Sequence, residues 1–254
     1  MKIPPHAIVA LNNANSIGVL TGAGVSAESG IATFRDAQTG MWSNYRPEDL
    51  ATPEAFARDP ALVWQWYAER RRQVAQAIPN AAHLALAALQ AERGAQIITQ
   101  NVDGLHQRAG ATHVIELHGS IVKTVCSRTG KVVPPERIDQ ADPTSPSDGL
   151  ALPPPSPFHP EGLCRPGVVW FGEALPADAL NRAFEIAHNC QVFISAGTST
   201  VVEPAASLPL AAKRAGAFVI EVNPAQTPLT PHCDAALAGA AGEVLPRLLA
   251  ALGL

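Results

Sequence analysis

The feature that narrows the choice of fold most is the stretch IGVLTGAGVSAESGIATFRD, residues 17–36. Ile17 to Leu20 form an apolar run of the kind that becomes a parallel strand buried on both faces. It breaks at Thr21-Gly22-Ala23-Gly24, where small residues let the backbone turn sharply and come close to a ligand. Gly22, Gly24 and Ala27 keep the G-x-G-x-x-G/A spacing of a dinucleotide loop. Ser26 to Ser29 are then placed to open a helix whose free N–H groups face a pyrophosphate. Phe34 and Arg35 follow at once, an aromatic ring and a cation beside the expected phosphates. One part of the simpler dinucleotide pattern is missing: no acidic residue ends a second strand about twenty positions further on.

Beyond this stretch, strands and helices alternate. Thr52 reads as the N-cap of a helix starting at Pro53. Residues 60–77 form a second helix with Leu62, Val63, Trp64, Trp66, Tyr67 and Val74 on its apolar side and its arginines mostly toward water. Residues 81–93 form a third, stopped by Gly94. The buried strand 95–99 runs out into Gln100-Asn101-Val102-Asp103, and the short strand 114–117 ends at His118-Gly119. Later come Val169–Glu173 as a strand, a helix over 177–188, the strand 192–196 ending in Gly197-Thr198-Ser199, and a helix after Pro204. The strand 218–222 leads to Asn223, and a last short strand, 234–237, precedes a closing helix over 242–252. Such alternation, with small or polar residues at each strand's carboxyl end, predicts an α/β doubly wound, Rossmann-like parallel sheet.

The sheet is assigned to residues 1–35, 81–120 and 166–254. A smaller lobe takes a helical insertion, 36–80, and a loop-rich insertion, 121–165. The second insertion carries Pro134, Pro135, Pro143, Pro146, Pro153, Pro154, Pro155, Pro157 and Pro160, which break long helices and central strands.

At 254 residues, 47% hydrophobic and 16% charged, the chain has enough apolar material for a sizeable core. A net charge of −4 argues against general nucleic-acid binding, which needs a basic footprint. The opening MKIPPHAIVALNN holds too short and interrupted an apolar run for a signal peptide or a membrane span. The expectation is a cytoplasmic monomer with neither nucleic acid nor membrane as partner. Cys126, Cys164, Cys190 and Cys233 are scattered without C-x-x-C spacing, so they imply neither a disulfide framework nor a ready zinc knuckle.

Six segments in order, GAGVSAESGIATFRD, TQNVDGLHQRAG, ELHGS, RPGVVWFGE, SAGTSTVVEPAA and EVNP, closely resemble the motifs of the sirtuins, the NAD-dependent protein-lysine deacylases. The resemblance covers nearly the whole chain outside 127–164. It implies an NAD site made by Gly22, Ala23, Gly24, Ser26, Ala27, Phe34, Arg35, Gln100, Asn101, Val102, Asp103, Gly197, Thr198, Ser199 and Asn223, with Ala241 backing the adenine. It makes His118 the general base, with Asn101 and Asp103 orienting the ribose and carboxamide. The implied reaction joins the acyl oxygen of the substrate to the ribose carbon as nicotinamide leaves. Its products are unmodified lysine and 2′-O-acyl-ADP-ribose. Val169, Phe171, Gly172 and Glu173 would pair with an acyl-lysine protein or peptide. Tyr67 and Arg70 match the Y-x-x-R pattern of class III members, whose pair binds a carboxylate at the end of the acyl chain. Succinyl- or malonyl-lysine follows, with acetyl-lysine second. Pro47 stands where that class commonly has an alanine lining the pocket.

Sirtuins usually hold a structural zinc on two C-x-x-C pairs. Here Cys126 survives, Thr129 stands where its partner belongs, and the second pair falls on Pro157 and Pro160. Cys126, His159, Cys164 and His113 offer donors for a rebuilt site only at irregular spacing, and a metal-free lobe is expected. Two other functions remain open from sequence: ADP-ribosyl transfer or NAD hydrolysis at the same site, and a non-catalytic NAD-binding module.

Overall fold

The computed structural model describes residues 3–31, 47–138 and 153–254. Phe34, Arg35 and the side chain of Pro47 lie outside the described residues.

Strands β1 (Ile17–Thr21), β2 (Gln96–Thr99), β3 (Ile115–Glu116), β6 (Val192–Ala196), β7 (Phe218–Asn223) and β8 (Ala235–Ala238) form one six-stranded sheet in the order β3-β2-β1-β6-β7-β8, every pair parallel. The two halves run in opposite directions from the β1–β6 pair, which makes that junction the switch point where open α/β sheets bind ligands. Strands β4 (Gly119–Cys126) and β5 (Cys164–Val168) pair antiparallel in a separate two-stranded sheet.

Burial on both faces follows from the alternation within β1. Val19 points into a core shared with helices α1 (Pro5–Asn13), α6 (Ala81–Arg93) and α10 (Ala241–Ala251), which contribute Leu11, Leu86, Leu89, Leu245 and Leu248. Leu20 points the other way, against α8 (Ala177–Asn189) and α9 (Leu208–Arg214), where it meets Phe193, Ile186 and Leu208. Each such side chain taken out of water contributes about 1.5–3 kcal/mol.

A third core lies between α3 (Pro47–Leu50), α4 (Pro53–Arg58), α5 (Pro60–Gln76) and the small sheet, joining Leu50, Phe56, Val63, Trp66, Tyr67, Ile121, Val168 and Trp170. Thr52 caps α4 as expected, its Oγ1 accepting from Ala55 N at 3.1 Å. The arginines of α5 correct the sequence reading. Arg72 faces water, but Arg71 folds inward, donating to the carbonyls of Ile121 (2.7 Å) and Lys123 (3.0 Å) and to Thr124 Oγ1 (3.0 Å). The register of β4 against β5 shifts between Ser120 and Thr124, so Arg71 satisfies groups that the irregular ladder leaves.

Other differences are local. Helix α2 (Ala23–Ser26) opens at Ala23 rather than Ser26, and passes into a 3₁₀ turn over Ala27–Ser29. Helices α1 and α7 (Leu105–Arg108) and the full length of β4 carry no clear periodic signal and were not expected. The run Val169–Glu173 is not a strand. β5 ends at Val168, and the chain then turns at Phe171-Gly172. Among the described residues no helix is long and apolar enough to cross a membrane.

Asn80 joins the helical layer to the loop after β1. Its Oδ1 accepts from Ala82 N (2.9 Å) at the start of α6, and its Nδ2 donates to Val25 O (2.8 Å) and Ser29 Oγ (3.0 Å). Asn80→Ala removes a helix cap and two tertiary bonds together, so it should destabilise the protein by about 2 kcal/mol. A urea titration with a lower midpoint and unchanged slope is the expected record; a midpoint equal to the parent's would refute the role.

Candidate active site at the strand ends

The parallel register sets the strand ends level: Thr21 is opposite both Thr99 and Ala196, and Ala196 is opposite Val222. The four segments beyond them therefore emerge side by side. They are tied together by backbone bonds from Gly22 N to Ala196 O (3.1 Å), Gln100 N to Thr21 O (3.0 Å) and Gly197 N to Val222 O (2.9 Å). The loop after β1 and the loop after β6 touch through bare backbone. Gly24 N donates to Gly197 O at 2.8 Å, and a Cβ on Gly24 would sit 2.8 Å from Gly197 Cα. Gly197 itself has φ of 60°, and a Cβ there would meet Val25 N at 2.4 Å. Side chains complete the rim: Gln100 Nε2 donates to Thr198 Oγ1 (2.9 Å), and Asn223 Nδ2 to Thr198 O (2.8 Å).

Ser26, Asn101 and Asp103 come together as one buried group. Asn101 Nδ2 donates to Gly22 O (3.0 Å) and Ser26 Oγ (3.1 Å), and Ser26 Oγ donates to Asp103 Oδ2 (2.7 Å). His83, which sequence reasoning missed, is 3.3 Å from Ser26 Oγ through Nε2. A serine, a histidine and a carboxylate in contact suggest a nucleophilic triad, but the proton directions exclude one. Asn80 N–H can only donate, so His83 Nδ1 (3.2 Å away) accepts, and Nε2 carries the ring's proton. That nitrogen therefore donates to Ser26 and cannot take its proton. The chain of bonds runs from His83 through Ser26 to Asp103 and holds a carboxylate in place; it does not activate a hydroxyl. Burial lowers the His83 pKa while Asp103 raises it, and the net direction is downward. The signal for His83 lay three residues after Asn80, where a capping-box partner reaches back to the N-cap.

Beneath this group lies a second buried layer, also missed. Thr21 Oγ1 is 2.9 Å from Thr99 Oγ1 and 2.9 Å from His106 Nε2, and Thr99 Oγ1 accepts from Asn101 N at 3.0 Å. The His106 ring stands edge-on to that of His83 with centroids 4.9 Å apart. Its Nδ1 is buried without a hydrogen-bond partner among the described residues.

His118 lies at the end of β3 and opens β4 through Gly119. Gly119 has φ of 75°, and a Cβ there would be 2.2 Å from Gly167 O, so only glycine lets β4 leave at this angle. The backbone of His118 is held by Val169 N, which donates to His118 O at 2.9 Å. Its ring Nδ1 is 2.8 Å from Gln100 O. A carbonyl only accepts, so Nδ1 is the protonated nitrogen and Nε2 keeps its lone pair. Burial depresses the pKa of His118, partly offset by the bond to Gln100, so the ring is neutral and basic at neutral pH.

Tyr67 and Arg70 sit on α5, facing the small sheet. Tyr67 is 3% exposed, and its oxygen accepts from Trp170 Nε1 at 3.0 Å. The Arg70 guanidinium lies 5.0 Å from the Trp66 ring centroid. Burial pushes the Tyr67 phenol well above its ordinary value, and burial pulls the Arg70 guanidinium down. Of the expected peptide-pairing residues, Val169 and Phe171 have their N–H groups in use, on His118 O and Ala51 O (both 2.9 Å). Glu173 turns inward, bound by both terminal nitrogens of Arg165 (2.6 and 2.9 Å) and by Trp170 N (2.8 Å). Phe171 stays 41% exposed beside Gly172. Ala241 is buried at the first position of α10, whose next residue, Gly242, donates its N–H to Glu28 Oε2 at 2.7 Å. No group of three or more His, Cys, Asp or Glu side chains among the described residues is placed to hold a metal ion.

A model of the Sir2 family matches residues 22–204 of this chain. An NAD-dependent protein deacylase of Methylococcus capsulatus is 49% identical over 253 residues, covering 99% of this chain and 98% of its own. Among solved structures, a Sir2 homologue in complex with NAD superposes with a TM-score of 0.90 at 46% identity, over 99% of this chain and 94% of its own. A Sir2 protein solved with a p53 peptide and NAD+ superposes at 0.85 and 33% identity, over 100% of this chain and 99% of its own.

The buried histidines have a consequence for stability. Burial and the neighbouring His83 push the His106 pKa down to about 3, against 6.5 in an unfolded chain. Below about pH 6.5 the unfolded chain binds a proton there and the folded one does not. Stability is therefore complete above that pH and falls as pH drops toward about 3, by up to about 1.4 kcal/mol per pH unit for this one group. His106→Gln, which keeps a polar partner for Thr21, should flatten the slope by about one proton. Urea melts near neutral pH and in the acid window measure it, and a variant with the parent's slope would disprove the assignment.

Proposed function

The chain belongs to the Sir2 family and is an NAD-dependent protein deacylase, and we propose that the acyl group it removes ends in a carboxylate. Succinyl- and malonyl-lysine are the favoured substrates on this reading, with acetyl-lysine second.

The donors at the strand ends fit the dinucleotide by their chemistry. Ser26, Asn101 and Asp103 offer a hydroxyl, an amide and a carboxylate held in fixed orientation, suited to a ribose and a carboxamide. The Gly22–Gly24 backbone suits the pyrophosphate. Gln100, Thr198, Ser199 and Asn223 suit the second ribose, and Ala241 the adenine face. When bound, NAD supplies the electrophilic ribose carbon that accepts the acyl oxygen as nicotinamide departs. His118 receives a proton at Nε2, because Nδ1 is committed to Gln100 O. Asp103 accepts from Ser26, whose oxygen in turn accepts from the Asn101 amide, and so keeps Asn101 oriented. The peptide lies against Phe171 and Gly172, one turn of chain from the point where Val169 grips His118.

The observation that carries the acyl assignment is the bond between Trp170 and Tyr67. An indole N–H can only donate, so the Tyr67 oxygen accepts and its own proton remains to be donated. A phenol fixed as donor, one helical turn from a guanidinium largely removed from water, recognises a carboxylate better than a methyl group.

The deciding measurement compares succinyl, malonyl and acetyl peptides on the parent and on Arg70→Met. Desuccinylation should lose at least about tenfold in kcat/KM, a transition-state cost of about 1.4 kcal/mol, with deacetylation changed by less than about threefold. Equal losses on both peptides would sink the acyl assignment. In the same assay His118→Ala should stop deacylation turnover, and mass spectrometry should find 2′-O-acyl-ADP-ribose from the parent but not from the variant. ADP-ribose on protein or free in solution would favour transfer to another acceptor. We further propose that the small lobe needs no zinc; elemental analysis of the purified protein should find well under one zinc per chain.

A further inference from the structure

The end of the small sheet carries two cysteines that the deacylase reaction does not use. Cys126 is the last residue of β4 and Cys164 the first of β5, and the antiparallel register sets them directly opposite each other. Their backbone N–H groups point away from the pair: Cys126 N donates to Lys131 O (2.9 Å) and Cys164 N to Pro154 O (2.7 Å). The next rung is bonded, with Ser127 N donating to Leu163 O at 2.9 Å. Cys126 and Cys164 thus form a non-hydrogen-bonded pair, the closer of the two kinds, with Cα atoms about 4.5 Å apart and both side chains on one face. That separation lies inside the range of about 4.4–6.8 Å that a disulfide spans. Both thiols are free and buried, at 1% and 0% exposure.

We infer that Cys126 and Cys164 are a peroxide-sensitive dithiol that closes to a disulfide across the last rung of the small sheet. The surroundings divide the roles. Burial alone would raise the Cys126 thiol, but hydrogen bonds from the Ser156 and Thr129 side chains and the Arg128 and Thr129 backbone outweigh it and hold it at about 7. Burial and the neighbouring Cys126 push Cys164 up to about 11. Cys126 is the attacking sulfur and Cys164 the resolving one. The rung lies at the ladder's end, next to the turn at Ser127–Gly130, so fraying of that end admits a small oxidant. The Cys126 thiolate attacks an oxygen of hydrogen peroxide; the O–O bond breaks, hydroxide leaves and a sulfenic acid forms. The Cys164 sulfur then attacks the Cys126 sulfur. The S–S bond forms, the S–O bond breaks, and the departing hydroxide takes the Cys164 proton as water. The two thiols together lose two electrons and two protons, and one peroxide becomes two waters. Cys164 also packs with Trp64 of α5, one turn before Tyr67, so closure stiffens the junction between the small sheet and the helix that carries the acyl-recognition pair.

The test uses the full chain, with its four cysteines, treated with hydrogen peroxide and then denatured for thiol counting. The count should fall from four to two and return to four with a dithiol reductant, and digestion should yield the Cys126 and Cys164 peptides joined. The oxidised protein should melt about 5 °C or more above the reduced one, as a cross-link closing a long loop does. Cys164→Ser should instead hold the sulfenic acid and take one dimedone on Cys126. Four thiols persisting under peroxide that oxidises glutathione in the same tube would overturn the inference. So would a disulfide that involves Cys190 or Cys233.

Discussion

The site depends on two loops meeting with no side chain between them. Parallel strands diverge in their connections where β1 and β6 adjoin, and a crevice opens there only if the loops stay low. Gly24 and Gly197 meet backbone to backbone, at a spacing where a single added carbon on either would collide with the main chain of the other. The spacing of glycines in the first loop therefore answers to the loop after β6 as much as to any ligand. Ala-for-Gly exchange at either point would push the loops apart, and Gln100 and Asn223, whose hydrogen bonds to Thr198 tie the loop after β6 to those after β2 and β7, would lose their common frame.

Directionality of hydrogen bonds then turns a collection of polar residues into a site. Ser26, His83 and Asp103 have the composition of a hydrolase triad, but the backbone N–H of Asn80 fixes the tautomer of His83 and reverses its role. The same logic gives His118 the opposite assignment. There the partner is a carbonyl, the proton goes to Nδ1, and the outer nitrogen is left basic. Two histidines in one site are thus separated into a fixed donor and a base by the backbone groups that each meets.

Much of this was legible in the chain itself, because parallel strands buried on both faces write themselves as short apolar runs ending in small residues. β1, β2, β6 and β7 stand within a residue of where periodicity puts them. Failures cluster where local pattern is not what decides. β4 is stabilised by pairing with a strand 38 positions away and by Arg71, so its own sequence shows no alternation. Val169–Glu173 has the composition of a strand, but Glu173 reaches back to Trp170 N and Arg165 and closes a turn instead. Thr21, Thr99 and His106 were invisible as a group because strand register pairs the two threonines and α7, which carries no periodic signal, brings the ring to them.

The small sheet is where this chain's own chemistry is most distinct. Arg71 stacks on Trp64 and ties three groups of β4, while Arg165 lies 3.3 Å over the Trp170 ring and binds Glu173. Trp170 in turn fixes the Tyr67 hydroxyl. A guanidinium set against an indole face leaves its N–H donors free to order the residues around it. Tyr67, the turn at Phe171-Gly172 and the strand that begins at Cys164 are consequently tied together through Trp170, Glu173 and Arg165. Cys164 packs with Trp64 near one end of α5, and Tyr67, one turn further along the same helix, packs with Trp170.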